Sequence, residues 1–300
     1  MKKFLIRTIF LFIGMVFIRS TGHAAANAKM AAVLTSFYPM QVFTLNVTQG
    51  LPELQPALLL PGTLGCPHDY ALTPGDVAKL SQAQVLIMNG QMEQFLTAEK
   101  MRAINPKLHV IVSGQTVSDM PETESGQPPN AFNPHSWVSP FAAAKQARVI
   151  GAELSRIYPQ CAKELQANAE VYAQRLEALG ADMKQAIAAL PQKKILTFHD
   201  AFAYFARDLG LTVVGVIELA PGSAPTPKHL QEMIALTKQH GLKAVFAEAQ
   251  YPAAVAETIA RATGAKVLVL DPVANAALET LTRYEEVMRK NLAVLQEALQ

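Results

Sequence analysis

The sequence predicts an α/β protein with two Rossmann-like lobes, each a parallel-rich sheet with flanking helices, joined by one long rigid helix. Two observations predict this arrangement. From about residue 31, short apolar runs alternate with helix-like segments, which is typical of parallel sheets covered on both faces. The alternation stops at one long stretch of helix-forming residues and then resumes. The chain has 300 residues, 50% of them hydrophobic and 17% charged, so it is long and apolar enough for two domains.

Residues 1–26 have the composition of a secretory signal peptide, with a basic start, a largely apolar run and small residues where cleavage is expected. The apolar run is shorter than the ~20 residues of a membrane-spanning helix, which favours cleavage over an uncleaved anchor. No cysteine lies near the cleavage point, so a lipid anchor is not predicted. Cleavage would remove four basic residues, leaving 22 of the 26 against 24 acidic ones. The resulting net charge of −2 does not predict a nucleic-acid partner.

Residues 27–160 are predicted to form the N-terminal lobe. Within it, residues 73–76 (TPGD) begin a helix, because threonine can cap the first turn and proline fits the first helical position. Ser139 and Pro140 begin a second helix in the same way. Residues 116–132 are polar and rich in proline and glycine, which predicts an exposed loop. The predicted strands of this lobe are AAVLTS, PALLLPG, QVLIMNG and LHVIVSG.

Residues 161–191 are predicted to form the linking helix and residues 192–300 the C-terminal lobe. The linking segment is rich in Ala, Leu, Glu, Gln and Lys and would span roughly 40 Å, which suits a strut between lobes. An ordinary surface helix of one lobe is the alternative. Thr226 is predicted to cap a later helix that ends at Gly241. The predicted strands are KKILTF, LTVVGVIEL, KAVFAEAQ and KVLVLD.

Four side chains of types that can bind metals are predicted at strand ends or in the loops beyond them: His68, His135, His199 and Asp271. Ligands of open α/β sheets bind beyond the carboxyl ends of the strands, so these four are candidates to converge. A proline precedes both His68 and His135, which restricts the loop and lowers the entropy lost on coordination. The spacings between the four residues match none of the short zinc-ligand motifs, so each one alone is more often a loop or turn residue.

The whole mature chain carries a set of motifs in a fixed order, among them LLPGTLGCPHDYALTPGDVAKL, NPHSWVSP, TFHDAFAYFARDLGL and KVLVLDPVA. Together they resemble the zinc- and manganese-binding proteins of bacterial ABC importers, of the ZnuA and TroA kind. The resemblance implies one metal ion buried between two lobes, with ligands at His68, His135, His199 and Asp271. The zinc-selective branch of these proteins has histidine at the third ligand position, so His199 implies zinc. Two features depart from that branch: the loop 116–132 has no histidine, and Gly65 and Cys66 precede the PHDY motif.

The ligand chemistry agrees with zinc, because imidazole suits Zn²⁺ whereas Mn²⁺ prefers oxygen donors. Four protein ligands would close a tetrahedral site and leave no position for an activated water. The predicted function is therefore carriage: a periplasmic, monomeric solute-binding protein that captures Zn²⁺ and delivers it to a membrane permease powered by a cytoplasmic ATPase. It is not predicted to be an enzyme or to bind nucleic acid.

Several alternatives stay open. The cargo could be Mn²⁺ or another divalent metal, and less favoured alternatives are a surface adhesin of the same fold and a secreted zinc hydrolase with Asp271 or Glu248 as general base. Glu248 at the end of a strand is expected either to accept a hydrogen bond from a ligand imidazole or to be a solvated carboxylate. Cys66 and Cys161 are predicted to be independent thiols, with a disulfide as the less favoured alternative and a ligand role for Cys66 as a weaker one.

Two further residues near the candidate ligands have structural predictions. Asp200 is expected to cap the helix that follows His199. Trp137, the only tryptophan of the chain, is expected to lie in the core.

Overall fold

The computed structural model describes residues 32–68, 70–121, 131–219, 223–275 and 280–300. The predicted signal peptide, residues 1–26, lies outside the described residues, and so does most of the predicted loop 116–132. Among the helices in the described ranges, none is long and apolar enough to cross a membrane.

A four-stranded parallel sheet forms the first half of the protein, in the order β2-β1-β3-β4. All four strands predicted for this half are present. All four side chains of β3 are buried, as expected for an apolar run inside a parallel sheet. The strands are Val33–Thr35 (β1), Ala57–Leu58 (β2), Val85–Met88 (β3) and His109–Val112 (β4), and the helices are Tyr38–Val47 (α1), Pro74–Gln82 (α2), Ala98–Ile104 (α3) and Pro140–Ile157 (α4).

The second half contains two parallel strand pairs, β5 with β6 and β7 with β8. β5 packs beside β7, so the four predicted strands of this half lie together although the backbone ladder is formed within each pair. The strands are Lys194–Thr197 (β5), Thr212–Val216 (β6), Ala244–Ala247 (β7) and Lys266–Val269 (β8). The helices are Ala203–Leu209 (α6), Pro227–Gln239 (α7), Ala254–Thr263 (α8) and Arg283–Ala298 (α9).

Three of the predicted helix starts are confirmed. The Thr73 hydroxyl accepts a hydrogen bond from the Asp76 backbone N–H at 3.3 Å, and the Asp76 carboxylate accepts one from the Thr73 N–H at 2.9 Å, which completes a capping box. Ser139 caps α4 and Thr226 caps α7 through their hydroxyl groups. Gly241 has a φ of 59° just beyond the end of α7, a conformation that favours glycine.

The prediction that Asp200 caps the helix after His199 is wrong. Neither the 3₁₀ turn Asp200–Phe202 nor α6 has a side-chain cap. The carboxylate of Asp200 instead accepts a hydrogen bond from Nδ2 of Asn133, at 3.0 Å. Asp200 therefore joins the two halves of the chain rather than capping the start of a helix.

One long helix, α5 (Ala162–Ala188), packs against helices of both halves. Its buried side chains recur three or four residues apart, so one face is apolar along the whole helix. The crossing with α4 is close, because a Cβ added to Gly151 would overlap that of Ala169. This helix therefore lies along both halves, while the exact lobe boundaries stay a prediction.

Trp137 lies in the core, as predicted, and is fully buried between the two halves. Its indole Nε1 donates a hydrogen bond to the Pro272 carbonyl at 2.8 Å. The Tyr284 hydroxyl donates to the Trp137 carbonyl at 2.9 Å. Both bonds join residues more than a hundred positions apart, so they fix the two halves to each other beside His135.

We expect Tyr284→Phe to lower the free energy of unfolding by about 1–3 kcal/mol, because the buried Trp137 carbonyl loses its hydroxyl donor. Urea unfolding followed by circular dichroism measures the change. Tyr158→Phe is the matched control, since the Tyr158 hydroxyl makes only an exposed contact of 3.3 Å with Gln84, and it should cost less than ~0.5 kcal/mol. Equal destabilisation by the two substitutions would contradict the account.

Candidate metal site

Three imidazole rings from distant parts of the chain meet between the two halves. His68 lies in the loop that follows β2, His135 lies just before the 3₁₀ turn that leads into α4, and His199 follows β5. Nε2 of His135 lies 3.2 Å from Nε2 of His68 and 3.3 Å from Nε2 of His199. The structure therefore brings together the three histidines singled out by the sequence.

These distances fit a metal ion. Three nitrogens that each lie 2.0–2.1 Å from a tetrahedral zinc ion are about 3.3–3.4 Å apart. The two measured nitrogen separations agree with that value. An ion of this size can therefore bind these nitrogens with little movement of the rings.

Asn133 orients the ring of His135. Its side-chain Nδ2 donates hydrogen bonds to the carbonyl and the carboxylate of Asp200, at 2.9 and 3.0 Å. That leaves Oδ1 of Asn133 as the acceptor for Nδ1–H of His135, at 3.0 Å. With the proton on Nδ1, the lone pair of His135 is on Nε2, which faces the other two rings. Sequence reasoning missed Asn133, although its position two residues before the histidine was a usable signal.

Glu248 orients the ring of His199 in the same way. The two side chains are almost fully buried, and Oε1 of Glu248 lies 2.6 Å from Nδ1 of His199. A carboxylate in this position holds the proton on Nδ1 and leaves Nε2 of His199 for the metal. Oε2 of the same carboxylate accepts a hydrogen bond from Gln250 at 3.2 Å.

A second buried carboxylate, Glu93, supports the loop that carries His135. It accepts hydrogen bonds from the Ser36 hydroxyl at 2.5 Å and from the backbone N–H groups of Asn89 and Gly90 at 2.9 and 2.7 Å. Nδ2 of Asn89 in turn donates to the carbonyl of Pro134 at 2.8 Å. Burial raises the pKa of Glu93 against these hydrogen bonds. Glu93 thus acts on the site through the backbone and not as a ligand.

The electrostatics differ among the three rings. Burial, together with charge on His199, lowers the pKa of His68 to about 3, and the same causes with charge on His68 lower the pKa of His135 well below its usual value. Burial also opposes charge on His199, but the Glu248 carboxylate and the contact with Cys66 outweigh it and raise the pKa of His199. Two rings are therefore neutral and ready to bind at neutral pH, and a metal ion would displace a proton from the third.

Asp271, the fourth predicted ligand, lies outside this group of side chains in the structure. Its Oδ1 accepts a hydrogen bond from the Val273 backbone N–H at 2.8 Å, and its Oδ2 lies 4.0 Å from Arg283. This is an Asx-type turn, and it stabilises Val273, which has the unusual φ of 60° for a β-branched residue. A ligand role for Asp271 stays a prediction.

Cys66 lies in the group instead. Its Sγ and the ligand atoms of His68, His135 and His199 all lie within 4.8 Å of one another. Cys161 contacts Glu53 at 3.4 Å, and the two cysteines form no disulfide, as the sequence analysis favoured. The described part of the chain therefore offers three nitrogens and one sulfur at a single point.

The family model described as ZnuA, the periplasmic component A of a zinc-uptake complex, matches residues 33–298. The chain belongs to the ZnuA family. This membership agrees with the resemblance seen in the sequence motifs.

Individual relatives of the ZnuA family match over most of this chain. The zinc-binding protein AdcA of Streptococcus pyogenes serotype M18 is 30% identical over an alignment of 291 residues that covers 88% of this chain and 55% of AdcA, so the chain spans about half the length of that relative. The high-affinity zinc uptake system protein ZnuA of Bacillus subtilis is 27% identical over 310 residues, covering 99% of this chain and 96% of that protein. A crystal structure of ZnuA superposes with a TM-score of 0.77 at 29% identity, over 90% of this chain and 99% of that one.

We expect Glu248→Gln to weaken zinc binding by about 10- to 100-fold. Without the carboxylate charge, the His199 ring is less firmly oriented and its Nε2 is less basic. Titration against a competing chelator measures the affinity. Glu232→Gln is the matched control, since Glu232 is an exposed carboxylate on α7 that lies 3.5 Å from His229. The role given to Glu248 is untenable if both variants bind zinc as the unaltered protein does.

Proposed function

We propose that this protein is the periplasmic solute-binding component of a metal ABC importer. It captures Zn²⁺ between its two lobes and delivers the ion to a membrane permease that a cytoplasmic ATPase powers. The observation that carries the proposal is the convergence of three Nε2 atoms from His68, His135 and His199. Membership of the ZnuA family supports the transport role.

The origin of the ligands suits capture and release. His68 and His135 come from the predicted N-terminal lobe, 27–160, and His199 comes from the predicted C-terminal lobe, 192–300. An ion bound to all three joins the lobes, so a change in their relative position alters its coordination. We infer that this is how the permease obtains the ion.

The lobe movement is expected to be small. α5 packs against helices of both halves, and Arg175 on this helix pairs with Glu285 of α9. Trp137 and Tyr284 add buried hydrogen bonds across the same junction. Motion is therefore restricted to slight sliding or to the loops that carry the ligands.

Zinc is the cargo that the ligand chemistry favours. Imidazole nitrogen suits Zn²⁺, and affinities for divalent first-row metals place Zn²⁺ above Mn²⁺. Manganese prefers oxygen donors, and Asp271, the predicted oxygen ligand, is engaged with Val273 and Arg283. Manganese is therefore the less favoured cargo.

A zinc hydrolase is a poorer fit to the same side chains. Hydrolysis needs a general base beside a metal-bound water. Glu248 is occupied with the Nδ1 atom of His199, and Asp271 stabilises its own turn. The two carboxylates that could act as the base therefore have other roles.

The periplasmic location rests on the family and on the N-terminal sequence. The ZnuA family is described as periplasmic. The sequence of residues 1–26 suits an export signal. We infer that the mature protein acts as a monomer outside the inner membrane.

We expect His68→Ala and His199→Ala each to weaken zinc binding more than about a hundredfold, since each removes a direct ligand rather than a supporting group. Isothermal titration with zinc measures the affinity and the stoichiometry. His109→Ala is the matched control, because His109 is exposed at the start of β4. If both site variants bind zinc as tightly as the unaltered protein, the proposed function is wrong.

A further inference from the structure

Three imidazoles leave one of the four coordination positions of a tetrahedral zinc ion to be filled. The Sγ atom of Cys66 lies within 4.8 Å of the ligand nitrogens of His68, His135 and His199. We propose that Cys66 is a zinc ligand, so that three imidazoles and one thiolate hold the ion. This inference rests on the proposed function and specifies the chemistry of the same site.

The separation of these atoms is close to what such a site requires. With Zn–S near 2.3 Å and Zn–N near 2.0–2.1 Å, tetrahedral geometry places sulfur and nitrogen about 3.6 Å apart. Because no pair in the group exceeds 4.8 Å, the sulfur needs to approach by about 1.2 Å at most. A rotation of the side chain or a slight movement of its loop supplies that distance.

The local sequence explains why sulfur and imidazole point to the same place. Cys66 lies in a bend and His68 in a turn, on either side of Pro67. The loop therefore folds tightly, and the sulfur and the imidazole reach the same group of side chains. Gly65 has a φ of 81°, a left-handed conformation that reverses the chain just before the cysteine.

The second half of the protein supports the sulfur. Nε2 of Gln250 lies 4.0 Å from Sγ of Cys66 and 3.2 Å from Oε2 of Glu248. The same side chain lies against Gly65, where an added Cβ would be 3.6 Å away. Gln250 thus connects the loop of Cys66 with the carboxylate that orients His199, and its amide N–H can stabilise a negatively charged sulfur.

A thiolate would also set the metal preference. Sulfur ligands select zinc and softer metals, whereas Mn²⁺ favours carboxylate, carbonyl and water oxygens. A site with three nitrogens and one sulfur is therefore specialised for a thiophilic cargo. Cys66 acts as a specificity-determining ligand, and the loop carrying it supplies two of the four donors.

The experiment is absorption spectroscopy of the full protein stripped with a chelator and reloaded with Co²⁺, which replaces zinc and reports its ligands. We expect a thiolate-to-cobalt charge-transfer band in the near ultraviolet for the unaltered protein. The band should vanish in Cys66→Ser and persist in Cys161→Ser, the matched control with a thiol beside Glu53. The unaltered protein alone tests the sulfur ligand, even if a variant does not fold.

Zinc and manganese affinities of Cys66→Ser provide the second measurement. We expect the ratio of zinc to manganese affinity to fall at least about tenfold, because the substitution replaces the soft donor by a hard one. Cobalt that binds without a thiolate band, or a band that persists in Cys66→Ser, overturns the ligand assignment and leaves zinc carriage intact. Failure of the unaltered protein to bind either cobalt or zinc overturns both proposals.

Discussion

The candidate site depends on holding Nε2 of His135 at 3.2 Å from Nε2 of His68 and 3.3 Å from Nε2 of His199, separations that match those of nitrogens bound to one zinc ion. The protein imposes this arrangement on the rings. It does so from the far side of two rings, where Asn133 accepts from His135 and Glu248 lies against Nδ1 of His199. These acceptors fix the tautomers and leave each Nε2 atom able to bind a cation.

The fold supplies the rigidity that this arrangement needs. His68 and His199 follow parallel strands of different halves, and His135 precedes the helix α4, which packs along α5. Buried contacts of Trp137 with Pro272 and Tyr284 join the halves next to the rings. Binding at a junction of two packed bodies limits the loss of entropy on coordination, because the ligands are largely in place before the ion arrives.

The sequence was sufficient to predict the eight strands, the main helix starts and the three histidines, because apolar runs, capping residues and strand-end positions are local signals. It was not sufficient for the hydrogen bonds that orient the rings. Asn133 and Asp200 are 67 residues apart, and no local pattern pairs them. Asp271 is predicted as a ligand from its place at a strand end and from the resemblance, and this role stays a prediction. Its orientation depends on a turn whose next residue, Pro272, accepts a hydrogen bond from Trp137. The sequence gives only a weak signal for Cys66, because only the folded chain shows how close its sulfur comes to the rings.

The central claim is that one ion binds to imidazoles from all three segments of the chain. The most direct measurement is a crystal structure of the zinc-loaded protein with anomalous data collected at the zinc absorption edge. The account predicts a single anomalous peak about 2.0–2.1 Å from Nε2 of His68, His135 and His199. A peak elsewhere, or one that contacts fewer than three of these rings, would contradict it.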